Sequence, residues 1–351
     1  MLIHKKSARF RQTACRQIGS WLLILAAMVF VMVVLGGATR LTGSGLSMVE
    51  WQPLTLLPPL SAADWQASFD AYRQSPQYRL VNSAMDLAGF QDIFWLEYIH
   101  RLWGRLIGAA FLLPFLLFLL QGKVGWRDVP RLLLLFLLGA AQGGVGWLMV
   151  QSGLVDRPEV SHLRLAAHLG MALLIFMALL WNGLTFRQEA LPTTYFSRTQ
   201  GEDMLPRLWL VLLLVCVTIP AGALVAGLHA GMVYNTFPLM NGDVIPPEAL
   251  TLSPWWLNMI DNHALVQFDH RVLALSVWLV SLWAWWKGRG LRLGPALRVA
   301  AGLIPLLATV QVGLGIATLL LAVPLPLAVL HQANAFLLAA AVIWAMAEAS
   351  R

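Results

Sequence analysis

Apolar residues dominate eight stretches of the chain, at 18–37, 95–120, 130–150, 162–183, 207–228, 262–286, 297–322 and 325–346. A helix that crosses a bilayer needs about 20 such residues at about 1.5 Å of rise each. The pattern therefore predicts an all-α, polytopic membrane protein with eight transmembrane helices. A polar segment, 1–17, precedes the first stretch, and 184–206 links the fourth to the fifth. The long connections are 38–94 and 229–262.

The pattern also repeats. "GGATRLTGSGLSMVEWQP" (36–53) is echoed by "GALVAGLHAGMVYNTFP" (222–238), and "EYIHRLWGRLIG" (97–108) by "QFDHRVLALSVW" (267–278). "QGGVG" (142–146) returns as "QVGLG" (311–315), and "LAAHLGMALL" (165–174) as "AVLHQANAFLL" (328–338). The offsets fall from 186 to 170, 169 and 163 while the order is kept. Shortened loops between conserved helices produce that series, so the chain reads as two related four-helix bundles, 18–183 and 207–346. An even number of helices per copy gives both copies the same topology, side by side in the membrane.

Composition agrees with the periodicity, since 59% of the 351 residues are hydrophobic and 12% charged. Charge placement sets the orientation. Lys5, Lys6, Arg9, Arg11 and Arg16 precede the first helix; Lys123, Arg127 and Arg131 follow the second; Arg187, Arg198 and Arg207 follow the fourth; Lys287, Arg289, Arg292 and Arg298 follow the sixth. The alternate loops carry Arg40, Arg73, Arg79, Arg157 and Arg164, and 229–262 has no Lys or Arg. Both termini are expected in the cytoplasm. The net charge of +7 comes mostly from these anchors and gives no ground for a nucleic-acid partner. No small-residue cleavage site follows the first apolar run, so it reads as a retained helix. Cys15 and Cys216 are too far apart in this topology to form a disulfide. Most of the 16 tryptophans sit near helix ends, as interfacial belts do.

Eight histidines occur. His4 lies in the tail, and His162, His229 and His263 are in or near outer loops, where a solvated side chain is the default. His100, His168, His270 and His331 lie inside the second, fourth, sixth and eighth helices, a few residues after each begins, about 10 Å deep. One such imidazole is most simply a packing residue. Two related pairs at matched depth suit bis-histidine haem ligation. The residue four positions on is small in each case: Gly104, Ala172, Ala274 and Ala335. Neither pair has the thiolate or third imidazole that a zinc site takes.

The repeat provides an internal control. Glu97 lies three residues before His100 on the same helix face, and its counterpart before His270 is Gln267. One site thus carries a carboxylate able to stabilise a cation or move a proton, and the other does not. A plain ion pair between Glu97 and Arg101 is the alternative. Arg101 and Arg271 follow their histidines and, with Arg40, are candidates for the propionates of a porphyrin; snorkelling to the interface is the other reading.

"GGATRLTGSGLSMVEW", "EYIHRLWGR", "AAHLG", "FDHR" and "HQANA" resemble the haem A synthase family, over roughly 18–347. That resemblance implies an oxidoreductase that converts the C8 methyl group of haem O to the formyl group of haem A, for terminal oxidases. It implies that His100 and His168 hold the substrate haem O, that His270 and His331 hold a haem b cofactor, and that Glu97 is catalytic. The implied partners are haem O and haem A, membrane lipid and an electron acceptor the sequence does not identify. The prenyltransferase that makes haem O is a further candidate, and a homo-oligomer is left open. The cysteine-free outer loops resemble the proteobacterial and mitochondrial branch, and the short tail favours a bacterial inner membrane.

Three other readings compete with this one. A bis-histidine haem b electron carrier explains paired histidines but not a carboxylate at one site only. A haem O-forming prenyltransferase needs Asp-rich magnesium motifs, and no Asp-x-x-x-Asp occurs. A transporter would carry its charges to the midplane, whereas these cluster near the outer end.

Overall fold

The computed structural model describes residues 2–51, 57–155, 158–191 and 200–351. Arg157 and Arg198, counted above among the loop charges, lie outside the described residues. Eight long helices form: α1 (Leu2–Leu41), α4 (Leu87–Leu120), α5 (Val129–Gln151), α6 (His162–Glu189), α7 (Leu205–Gly227), α9 (His263–Gly288), α10 (Pro295–Leu320) and α11 (Leu325–Ala349). All eight are long and apolar enough to cross a membrane. Short helices α2 (Ala62–Arg73), α3 (Pro76–Leu80) and α8 (Asn258–Asp261) lie in the two long loops. Among the described residues there is no strand, only an isolated bridge between Met240 and Asp243.

Two helices run longer than the apolar pattern indicates. α1 begins at Leu2, because nothing in the basic segment before residue 18 breaks a helix. It ends where Gly43 takes a left-handed conformation, φ 68°, and its N–H closes on the Arg40 carbonyl. α4 is capped by Asp86, whose carboxylate accepts from the Gly89 N–H at 2.9 Å. At 34 residues it is about 51 Å long, well beyond the roughly 30 Å of hydrocarbon. Its first two turns project from the bundle and are covered by α2. Phe69 and Tyr72 of α2 pack on Phe90, with ring centroids 5.2 and 5.3 Å away, and Trp65 packs on Phe94 at 4.9 Å. His100 is therefore thirteen residues into α4 rather than near its start, while His168, His270 and His331 keep their expected places.

The packing forms two rings. α1 touches α4, α4 touches α5, α5 touches α6, and α6 returns to α1; α7, α9, α10 and α11 close in the same order. Contacts between the rings run from α1 to α11, α6 to α7 and α6 to α11. The core between them is apolar and tight, with Phe176 and Phe336 buried and their ring centroids 5.3 Å apart. The end with loops 42–86 and 228–262 is called here the loop face.

Candidate functional site

Each of the four helix histidines lies against a glycine on a neighbouring helix of its ring. A methyl group on Gly36 would come within 3.1 Å of the His100 ring, one on Gly222 within 2.8 Å of His270, one on Gly146 within 2.9 Å of His168, and one on Gly315 within 2.9 Å of His331. Only glycine lets the imidazole lie flush on the backbone at such distances. The amides of Gln142 and Gln311 then donate to the carbonyls of His168 and His331, both at 3.0 Å. In the second ring Asn334 completes the set by donating to Gln311 Oε1 at 2.8 Å. The Gln-x-Gly-x-Gly repeat seen in the sequence is thus a seat for an imidazole.

His270 and His331 face each other with ring centroids 6.4 Å apart and planes at 81°. That separation would let His270 and His331 hold one iron ion between them, the pairing a haem b would need. His100 and His168 are near enough to interact electrostatically. The Nδ1 atoms of His168 and His270 are buried without a hydrogen bond, as suits groups kept for a ligand.

Glu97 sits one turn toward the loop face from His100 and is 2% exposed. Its carboxylate has four donors. Oε1 accepts from Arg101 Nε at 3.0 Å and Nη2 at 2.6 Å; Oε2 accepts from Ser47 Oγ at 2.7 Å and the Met48 N–H at 2.9 Å. Both readings of Glu97 in the sequence bear on this geometry: the ion pair with Arg101 exists, and the carboxylate stays beside the histidine site. Gln267, also 2% exposed, occupies the same place in the second ring. Its Oε1 accepts from Arg271 Nη2 at 2.8 Å and its Nε2 donates to the Ala230 carbonyl at 2.7 Å. The surroundings have changed with the side chain, because the Met48 N–H and Ser47 hydroxyl donate to Glu97 and a carbonyl accepts from Gln267.

The turn that holds Glu97 is fixed from behind. Gln77 Nε2 donates to the Gly43 carbonyl at 2.8 Å, Gln77 Oε1 accepts from Tyr72 Oη at 3.0 Å, and Asn82 Nδ2 donates to Tyr72 Oη at 2.8 Å. Burial raises the Tyr72 phenol above its ordinary range, so it stays a neutral donor.

The three candidate propionate arginines all have protein partners. Arg101 also donates to the Met48 carbonyl at 2.7 Å and the Glu50 carbonyl at 3.0 Å. Arg271 donates to the Tyr234 carbonyl at 2.8 Å. Arg40 reaches across to the second ring and donates to the Ala226 carbonyl. Of the loop histidines, His229 is exposed as expected, with its Nε2 3.1 Å from Glu159 Oε2, whereas His162 is partly buried, with its Nε2 3.5 Å from Asp261 Oδ1.

Sequence reasoning missed Ser47, Gln77, and the role of the four glycines. The glycines left a trace, because Gly36 and Gly222 share one repeat offset and Gly146 and Gly315 another. Ser47 and Gln77 left none, since the second copy has no matching group.

The profile of the cytochrome oxidase assembly protein family matches residues 19–343. The chain is 48% identical to the haem A synthase of Nitrosospira multiformis over 337 residues, covering 96% of this chain and 94% of the relative. It is 46% identical to that of Nitrosomonas eutropha over 329 residues, 93% and 92% of the two. It is 50% identical to that of Rhodospirillum centenum over 339 residues, 95% and 88%. The matched stretch runs nearly the whole length of the chain, and the chain belongs to the haem A synthase family.

Proposed function

We propose that this multi-pass membrane protein is an oxidoreductase that converts haem O to haem A, with the reaction at the first ring. The observation that carries the assignment of the rings is the contrast between Glu97 and Gln267 within otherwise matching histidine sites. His100 and His168 hold the substrate haem O. His270 and His331 hold a haem b, which supplies a low-spin electron-transfer centre when bound. The two rings are copies related by an axis normal to the membrane. The swapped contacts α1 to α11 and α6 to α7 support this, because such an axis exchanges one with the other.

Oxidation of a methyl carbon on a porphyrin develops positive charge. Glu97 places a fixed negative charge beside it in a low-dielectric site, and its four donors hold it there before reaction begins. Proton acceptance by Glu97 needs a lone pair freed from one donor. The Ser47 hydroxyl is the donor able to turn away, so it gates that step. Gln267 has no charge to offer and no proton to take.

The bacterial relatives support a bacterial inner membrane, and the positive-inside pattern supports cytoplasmic termini with the loop face outward. The haem O-producing prenyltransferase suits the role of supplier. The test is mass analysis of pigments extracted from the purified protein after expression with a haem O supply. Haem b together with haem O, hydroxylated intermediates or haem A is expected; haem b alone would favour an electron carrier and overturn the assignment.

A further inference from the structure

The two rings differ at one seam. In the second ring α9 and α10 are bridged by Trp278, whose indole Nε1 donates to Thr309 Oγ1 at 3.0 Å. The repeat pairs Trp278 with Gly108 and Thr309 with Ala140, at the offsets of 170 and 169 that also pair the histidines and glutamines of those helices. The seam between α4 and α5 therefore lacks that tryptophan–threonine bridge. Gly108 and Gly139 are exposed, and a methyl group on either would meet nothing within 4 Å. The counterpart of Gly139 is Ala308, which is 1% exposed. α4 and α5 accordingly pack less closely than α9 and α10.

The opening has a head, a floor and an outlet. Gly108 lies eight residues beyond His100, and Gly139 seven residues before Gly146 on the antiparallel helix. Those spacings correspond to about 12 and 10 Å, so both glycines stand at one height beneath the His100–His168 pair. The pair forms the head, where His168 Nδ1 is buried without a hydrogen bond. Phe111 and Phe136 form the floor, closing the seam with ring centroids 5.6 Å apart. Contacts between the rings are made by α1, α6, α7 and α11, so the seam opens on the perimeter, where lipid lies.

We propose that this seam is the subsite for the farnesyl tail of the substrate, a slot through which the tail leaves the ring for the bilayer. The proposal rests on the assignment of haem O to the first ring. Haem b has no such tail, and in the second ring Trp278 fills the corresponding place. A tail confined inside a four-helix ring would displace packed side chains, whereas one passing between Gly108 and Gly139 reaches an apolar medium with nothing to move.

The test is spectroscopic titration of the purified full-length protein in lipid nanodiscs with haem O and, separately, haem b. The double variant Gly108→Trp/Ala140→Thr installs the closure of the second ring. It is expected to bind haem O about 10- to 100-fold more weakly, the scale of overpacking a core, and to take up haem b to the same extent as the wild type. Trp278→Gly is expected to let the second ring accept haem O. Should the double variant fold poorly, Gly139→Leu is a smaller plug with the same discrimination. Equal weakening of both haems, or of neither, overturns the tail subsite. His100→Ala separates the two levels of the argument. If it leaves haem O binding at wild-type strength, the first-ring assignment falls and the slot with it. If it abolishes binding while the plugged variants bind haem O normally, only the slot falls.

Discussion

Glu97→Gln exchanges the charge-bearing oxygen for an amide in a site built for two acceptors. If the new NH2 takes the place of Oε2, it meets the Met48 N–H, a donor, at a distance that was 2.9 Å. Ser47 can reverse its hydroxyl and accept, but the Met48 N–H cannot. If the NH2 takes the place of Oε1, it meets the Arg101 guanidinium at what was 2.6 Å. The first arrangement is the less costly. It leaves one buried N–H without an acceptor, worth about 1–3 kcal/mol. It also removes the counter-charge of Arg101. That guanidinium keeps the Met48 and Glu50 carbonyls and its side chain is 15% exposed, so the loss falls short of the roughly 3–5 kcal/mol of a fully buried broken pair. A total of about 2–4 kcal/mol loosens the turn at Ser44–Met48 without unfolding a protein of ordinary stability, about 5–15 kcal/mol.

Activity is expected to fall further than stability. Haem A formed per bound haem should drop by about 10²-fold or more, the usual scale for a lost acid–base or charge-stabilising group. Ser47→Ala is the control, because it removes one hydrogen bond at 2.7 Å from Glu97 and leaves the charge. It should cost about 1.5–3 kcal/mol locally and reduce haem A yield far less. The assay is pigment analysis of detergent-purified protein, with the absorption spectrum reporting bound haem and thermal unfolding reporting stability. Near-normal yield in Glu97→Gln would make Glu97 only the partner of Arg101. Equal losses in Glu97→Gln and Ser47→Ala, at equal haem content, would make it an anchor of the turn.

His270→Ala and His331→Ala should each remove or strongly alter the low-spin haem b spectrum while leaving haem O uptake at the first ring; two single variants with wild-type spectra would refute the ligand assignment. Gly146→Ala and Gly315→Ala push a methyl group to within 2.9 Å of His168 and His331. Each should cost about 1–3 kcal/mol and perturb only the haem of its own ring, measured by difference spectra; a shift in both haems from one substitution would contradict separate sites. Gln77→Ala leaves the Gly43 carbonyl and the Tyr72 hydroxyl without their partner, at about 1–3 kcal/mol. Lower haem A yield at unchanged haem content is expected, and unchanged yield would show that the turn holds its shape without α3.

The sequence disclosed what repetition could disclose. Spans and their order recur at offsets that fall only as the loops shorten, so each copy informed the reading of the other. Glu97 stood out for the same reason, as a departure from a pattern otherwise kept. α4 defeated the pattern at its outer end, because Leu87–Phe94 is helical by packing of Phe90 and Phe94 under α2, a contact with no counterpart in the second copy. Gln77 and Ser47 were hidden for a related reason: a residue that acts by hydrogen-bonding a distant turn carries no periodic signal, and only the fold brings position 77 to position 43. The same logic explains why Gly108 passed unnoticed. A glycine in an apolar helix reads as packing until its counterpart is seen to be a tryptophan bridging to the next helix. Divergence between the copies is therefore where function lies in this chain. The shared positions build two histidine seats, and in the assignment proposed above the exchanges of Glu97 for Gln267 and Gly108 for Trp278 would make one seat reactive and open to a tailed substrate and the other neutral and closed.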